Sequence, residues 1–423
     1  MILHLSTFHL EGGAGVAATR LHRALLRNGE DSHMLISGVK DSEPGVTDLI
    51  TSKWESRKSF FRFVEERIYF YPQEKDSSVR FAFSPAVAGT DISKHPLVQQ
   101  ADIIHLHWVN FGFLSMDSLD RLFALGKPVV WTLHDMWTFT GGCHYSRGCD
   151  NYLKHCQYCP YLAKPDLYDI SFSQFEKKAE IYTNANLTLV SPSNWLNNLI
   201  KQAALTQNLT SACIPNCIDT DFFTPGDQHK IRAELGLPTD KKLLLFAGAN
   251  TQDPRKGFVY FKEAMEQYSA EKQDVEVLIF GKSSNNSFDA FPVPVHYLGK
   301  ITEPKQMVQV YNAADMIIVP SLEDNLPNTI MEAMACGTPA VGFATGGIPE
   351  MIDHLSNGYV ADLKSANSLT DGINWVLEQN SDKSVSLAAR QKVISTYSEP
   401  IVTSQYSRLY TDMLHHQTTA KCH

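Results

Sequence analysis

Short runs that are apolar at nearly every position alternate with segments of helical period along the first half of the chain. ILHLST leads into a glycine-rich stretch and AATRLHRALLRNG, and SHMLIS, DIIHLHW, KPVVWTLHD and LTLVSPS follow. The second half repeats the rhythm with KLLLFAG, FVYFKEAMEQYSA, VEVLIFG, VHYLGK, MVQVYNAA, MIIVPS, IMEAMACG and PAVGFA. Continuously apolar strands are buried on both faces, which is the mark of parallel sheets covered by helices. The pattern predicts an α/β chain of two doubly wound, Rossmann-like domains. Between the halves, IPNCIDTDFFTPGD is rich in Pro, Asn and Asp and reads as a linker around residues 214–227. The expected domains are 1–213 and 214–397, with the helical-pattern tail 398–423 packing back on the first. Such sheets bind ligands beyond the carboxyl ends of their strands, so two of them facing each other predict a cleft.

One stretch departs from ordinary core. In SLEDNLPNTIMEAMACGTPAVGF (321–343) an apolar strand runs into Glu323 and Asp324, then Pro327, then a helix carrying a third acid, Glu332. The strand end presents the two acids, and the free N–H groups and dipole of the following helix make a natural anion site beside them. Eight residues of helix rise roughly 12 Å. The acid pair of a glycoside hydrolase needs about 5–9.5 Å around one bond. The longer spacing suits two carboxylates gripping opposite ends of a ligand with phosphates between them. The alternative is a helix capped by Asp324 or Asn325 with Glu332 in solvent.

At 423 residues the chain is too long for one core, which agrees with two domains. A net charge of −9 argues against a general nucleic-acid binder, whose surface is basic. The start MILHLSTFHL has no basic region ahead of a long apolar one, and no apolar run reaches membrane-spanning length. A cytoplasmic protein is expected, with its eight cysteines as thiols or metal ligands. GAGVAA resembles a G-x-G-x-x-A dinucleotide fingerprint, but HLEGG separates it from the strand. The second strand, SHMLIS, also lacks the acid that would hold a ribose.

Taken in order, GGAG, TLHD, SPSNWL, IPNCIDTDFF, PRKG, YNAADMIIVPSLED, EAMACGTPAV and GGIPEMI resemble retaining glycosyltransferases of family 4, with the GT-B fold, over nearly the whole chain. HDMWTFTGGCHY is similar to the branch that builds bacterial exopolysaccharides and capsules, of the colanic-acid type. The resemblance implies transfer of a sugar from a nucleoside diphosphate sugar, UDP before GDP, to a saccharide or lipid-linked saccharide hydroxyl. It implies that Glu332 binds the ribose hydroxyls and that Asp324, where the family usually has Glu, meets the donor sugar, with Glu323 beside it as a substitute. Backbone amides from Asn325 through Leu326 to Asn328 would meet the diphosphate. Lys256 and Arg255 would supply its cations, Arg255 standing in for a guanidinium absent at Ala249. His134 would contact the sugar and stabilise the departing charge. Gly12, Gly13 and Gly15 would form a loop bringing amides near the sugar or phosphate, and Gly346 and Gly347 would allow close backbone approach to the ligand. No catalytic metal is expected. Two rival readings stay open: a nucleotide-sugar epimerase of similar fold, and a non-catalytic nucleotide-sugar-binding subunit suggested by the departures at Asp324 and Ala249.

Two features lie outside that pattern of roles. Cys143, Cys149, Cys156 and Cys159 form a C-x5-C-x6-C-x2-C quartet suited to a structural zinc that pins a long loop, the alternatives being buried thiols or one redox bridge. Cys213, Cys217, Cys336 and Cys422 show no such clustering. KWESRKSFFRFVEERIYFYP, from residue 53, mixes aromatic and basic residues. It reads as a helix lining the cleft or as a weak peripheral contact with a membrane or lipid-linked acceptor.

Overall fold

The structure is a computed structural model that describes residues 1–38, 43–183, 185–250, 253–271, 274–283, 288 and 290–420. Cys422 lies outside the described residues. Two compact units divide the chain: Met1–Pro215 together with the closing segment from Thr403, and Asn216–Val402.

The first unit is built on seven strands: β1 Ile2–Ser6, β2 Ser32–Ile36, β3 Val46–Asp48, β4 Ile103–Leu106, β5 Val129–Thr132, β6 Leu187–Ser191 and β7 Thr210–Cys213. They form one sheet in the order β3-β2-β1-β4-β5-β6-β7, and every neighbouring pair is parallel. The order reverses between β1 and β4, where loops leave in opposite directions and open a crevice at the strands' carboxyl ends. Helix Glu399–Ala420 contributes to this unit through its later turns. Its Tyr410 hydroxyl meets His105 Nδ1 at 2.7 Å, and its Tyr406 hydroxyl meets Thr132 Oγ1 at 3.0 Å.

The second unit has six strands: β8 Lys242–Asn250, β9 Val275–Lys282, β10 Val295–Tyr297, β11 Met316–Val319, β12 Ala340–Phe343 and β13 Gly358–Ala361. Their order is β10-β9-β8-β11-β12-β13, again parallel throughout, with the reversal between β8 and β11. Leu243, Leu245, Ile317 and Val319 enter one core cluster, while Leu244, Phe246, Met316 and Ile318 enter another. Alternate residues of one strand therefore feed opposite cores, which is why these strands are apolar without interruption. No helix among the described residues is long and apolar enough to cross a membrane.

Candidate functional site

In the second unit, the reversal between β8 and β11 gathers most of the expected residues. After β8 comes a short 3-10 helix, Pro254–Lys256, and Lys256 Nζ reaches Asp324 Oδ2 at 2.6 Å from 68 residues away. Gly257 follows at φ +64°, and a Cβ there would stand 1.8 Å from the Pro320 carbonyl oxygen. Only glycine lets the PRKG turn lie this close to the end of β11. Arg255 pairs with Asp253 at 2.7 Å, so each of the two expected cations faces an acid.

Asp324 is held from several sides. Ser321 Oγ donates to its carboxylate at 3.4 Å and Gly347 N–H to its carbonyl at 3.3 Å. At Gly346, with φ +57°, a Cβ would sit 1.6 Å from that same carbonyl oxygen. The close approach expected of Gly346 and Gly347 is thus made to the chain's own acidic loop, which it fixes.

The helix that follows is Asn328–Ala335, with Pro327 as N-cap and no side-chain cap. It starts four residues after Asp324, so that acid lies on the preceding loop and the helical rise of roughly 12 Å does not apply to the Asp324–Glu332 pair. The reading of a side-chain-capped amino end is also set aside. Asn328 Oδ1 accepts from Asn216 Nδ2 at 3.2 Å. Asn325 and Leu326 are buried, Leu326 within the core. Glu332 is not in solvent: it is 4% exposed and accepts a 2.5 Å hydrogen bond from the Tyr311 hydroxyl. Glu323 is half-buried on the same loop.

In the first unit, His134 stands two residues beyond the end of β5, half-buried. Burial lowers its pKa to about 4, against the raising effect of Asp135. Asp135 accepts from Trp108 Nε1 at 3.0 Å and from Trp137 N–H at 2.8 Å, and pairs with His144 at 2.7 Å. Burial alone would raise the Asp135 carboxyl, but the His144 partner and these donors hold it below its ordinary value. Of the glycines expected in a loop, Gly13 and Gly15 lie in a helical turn instead, while Gly12 at its opening keeps a left-handed φ of +66°. The first helix runs Gly12–Arg27 and opens on Gly12 itself, with Gly13 and Gly15 in its first turn and Gly15 packed against Phe8. Only five residues, Thr7 to Glu11, separate β1 from this helix.

Cys143, Cys149, Cys156 and Cys159 all line one small cavity with Phe83, Tyr152 and Tyr161. Burial, then the neighbouring thiols, push Cys143 well up, while burial takes Cys156 to about 11 and Cys159 to about 12. Gly141 N–H donates to Cys156 Sγ at 3.1 Å. Lys178 is fully buried beside them, its Nζ 3.6 Å over the Trp137 ring and 2.9 Å from the Thr140 carbonyl. Burial lowers its pKa to about 7, opposed by Cys156 and Cys143. Among the described residues, the three side chains of metal-ligating type whose donor atoms all lie within 4.8 Å of one another are His4, His105 and His107, not cysteines.

The helix Lys53–Phe70 buries only Glu66 and Phe70 and leaves Trp54, Phe60, Phe61 and Ile68 exposed. Reading by motif missed His4, His105, His107, Tyr311 and Lys178. The alternation in HLHW was the available signal for the histidines, since it puts both on one face of a strand.

Paired parallel sheets of this kind, each reversing at its centre, define the GT-B type of α/β architecture. The chain belongs to glycosyltransferase family 4, whose model, described as Glycosyltransferase Family 4, matches residues 11–222. A second model, Glycosyl transferases group 1, matches residues 227–392. A D-inositol 3-phosphate glycosyltransferase of Mycolicibacterium smegmatis is 33% identical over 173 residues, 38% of this chain and 38% of that protein. The aligned part thus spans well under half of that relative. Sucrose-phosphate synthase from Thermosynechococcus elongatus has the same fold at TM-score 0.69 and 17% identity, covering 98% of this chain and 99% of that one. So does Anabaena HepE in complex with UDP-glucose, at TM-score 0.61 and 16% identity over 97% and 99% of the chains.

Proposed function

We propose that the protein is a retaining glycosyltransferase that moves a sugar from a nucleoside diphosphate sugar, UDP before GDP, to a saccharide or lipid-linked saccharide hydroxyl in exopolysaccharide assembly. The observation that carries this reading is the meeting of Lys256 and Asp324, 2.6 Å apart, ahead of a helix whose amino end has no side-chain cap. A cation, a carboxylate and a helix amino end at the reversal point of a parallel sheet suit a diphosphate bearing a sugar. Lys256, with Arg255 beside it, neutralises the diphosphate along with the amides of Asn325, Leu326 and Asn328, so leaving-group charge needs no metal. Glu332, oriented by Tyr311, takes the ribose hydroxyls. Asp324 or Glu323 takes hydroxyls of the donor sugar, and His134 stabilises the charge that develops as the diphosphate departs. The acids are placed at the donor's hydroxyls and the ribose, which leaves no evident nucleophile behind the anomeric carbon for a covalent intermediate. Transfer then proceeds on the face where the diphosphate leaves, with a phosphate oxygen taking the acceptor proton.

The finer assignment to exopolysaccharide assembly rests on HDMWTFTGGCHY alone, and the inositol phosphate named for one relative is the competing acceptor class. A structural zinc on Cys143, Cys149, Cys156 and Cys159 belongs to the same proposal, supported by their shared cavity and by Lys178, whose ammonium would offset thiolate charge. The aromatic and basic helix Lys53–Phe70 supports a weak peripheral contact at the cytoplasmic face of a membrane. A thermal-shift screen over UDP, GDP, ADP and their sugars tests the donor. A UDP compound should raise Tm most, and no shift with any of them would overturn the reading. Product analysis separates the rivals: an epimer without acceptor indicates an epimerase, and binding without turnover indicates a binding subunit.

A further inference from the structure

Buried histidines crowd the carboxyl end of the first unit's sheet, where its strand order reverses. His4 on β1 is in register with His105 on β4, and His107 lies two residues further along the same face. His4 and His105 are fully buried and His107 is 3% exposed. Three of the rings join head to tail. His4 Nδ1 lies 3.0 Å from His107 Nε2, and His107 Nδ1 lies 3.3 Å from His134 Nε2. The line climbs from the sheet interior to the residue assigned above to the departing charge.

A metal does not fit this cluster. His105 commits both nitrogens to hydroxyls, Nδ1 to Tyr410 and Nε2 to Thr132, each at 2.7 Å. The His105 and His107 rings also stack, with centroids 4.3 Å apart and planes at 27°. A metal must lie in the plane of each imidazole that binds it, and stacked rings point their lone pairs side by side. Burial, reinforced by neighbouring imidazoles, lowers the pKa values of His4 and His107 well below the ordinary range, so the line is neutral near pH 7.

A neutral imidazole has one N–H and one lone pair, so three in line have two proton registers. If His134 Nε2 donates inward, His107 Nε2 donates to His4, and His4 Nε2 is left carrying a proton. If His4 Nδ1 donates outward, His107 Nδ1 donates to His134 Nε2, and His4 Nε2 is a bare lone pair. His4 Nε2 is buried without a hydrogen-bond partner. A buried N–H lacking an acceptor is the rarer defect in proteins, so the second register is favoured.

We propose that His4 and His107 are positioning residues that hold His134 as its Nδ1–H tautomer, so that it presents a hydrogen-bond donor outward instead of an acceptor. A donor is what a departing diphosphate or a sugar oxygen requires, whereas the opposite tautomer would offer it a lone pair. The tautomer itself stands on geometry; its catalytic consequence rests on the reading of His134 given above.

The test is long-range 1H–15N correlation on the whole protein labelled with 15N-histidine near pH 7.5. Assignments come from His134→Gln and His107→Gln spectra. Protonated Nδ1 and bare Nε2 at His134 are expected, and the reverse overturns the proposal. In turnover assays with the donor chosen by thermal shift, His107→Leu should lower kcat about 10–100-fold with KM little changed. His107→Gln, whose amide still donates, should recover most of that loss. Wild-type kcat in folded His107→Leu would overturn the positioning role. Normal turnover in His134→Ala with the expected tautomer would remove the catalytic assignment and leave the relay standing. The spectra need neither substrate nor a folded variant beyond the two assignment mutants, so failure of one arm does not hide failure of the other.

Discussion

Tyr311→Phe isolates the bond that orients Glu332. The Tyr311 side chain is fully buried, Glu332 is 4% exposed, and hydroxyl and carboxylate are 2.5 Å apart. The substitution removes one oxygen, creates almost no cavity, and leaves a buried carboxylate short of a donor. Hydrogen bonds to charged groups contribute about 1.5–3 kcal/mol, so a loss of about 2 kcal/mol is expected. For a unit of about 190 residues that is a fall in Tm of about 4–8 °C. The functional consequence follows separately: a Glu332 no longer held in one orientation should bind the nucleotide about tenfold more weakly, or about 1.4 kcal/mol. Calorimetric unfolding and titration with UDP measure the two effects on the same sample. An unchanged Tm would refute the hydrogen bond. A lowered Tm with unchanged UDP affinity would keep the bond and remove Glu332 from the ribose.

Lys256→Met should reduce kcat/KM by two orders of magnitude or more while costing about 1 kcal/mol in stability, since its partner Asp324 retains other contacts; activity within threefold of wild type would discard the diphosphate role. His134→Ala should lower kcat by about 10²–10³ with donor affinity little changed, and product NMR should show a retained anomeric configuration. Purified protein should carry about one zinc per chain after dialysis; no zinc together with four alkylatable native thiols would exclude the site. Acid should destabilise the first unit before its carboxylates titrate. His134 and His105 fall from 6.5 to about 4 and about 3 on folding. The unfolded chain therefore binds more protons below pH 6.5, and stability present above that value is lost on the order of 1 kcal/mol per pH unit per histidine as pH falls toward 4. Urea midpoints equal at pH 7 and pH 5 would contradict this.

Much of the architecture was legible because fully buried parallel strands leave no polar alternation. MIIV and KLLLFAG can only sit where both faces are covered, and the structure feeds their alternate residues to two cores. The loop acids were legible for a related reason. Charges directly after such a strand must be either an error of folding or a site, and Lys256 meets Asp324 there. Distances were not legible. The Asp324–Glu332 spacing assumed continuous helix, but Pro327 delays the helix to Asn328, so chain separation said nothing about carboxylate separation. The glycines near the start misled in the opposite direction. Gly12, Gly13 and Gly15 have the composition of a loop, yet Gly13 and Gly15 sit in an amino-terminal helical turn, Gly15 close against Phe8, and Gly12 alone keeps a left-handed φ.

The histidines show what a linear reading lacks. ILHLST, DIIHLHW and TLHD each place a histidine inside or just beyond an apolar strand, and each alone is ordinary. Only the sheet order β1-β4-β5 makes the three strands neighbours, and only parallel register sets His4 level with His105. Burying several imidazoles together disfavours protonation of each, since desolvation outweighs the one carboxylate nearby, Asp135 beside His134. Such a group persists in a core only if its protons are shared in a fixed pattern. His4 Nε2, with no partner, breaks the symmetry of that pattern at its buried end. The other end is His134, at the carboxyl edge where doubly wound sheets meet their ligands. An unsatisfied atom in the core thereby decides whether a residue at the edge donates or accepts.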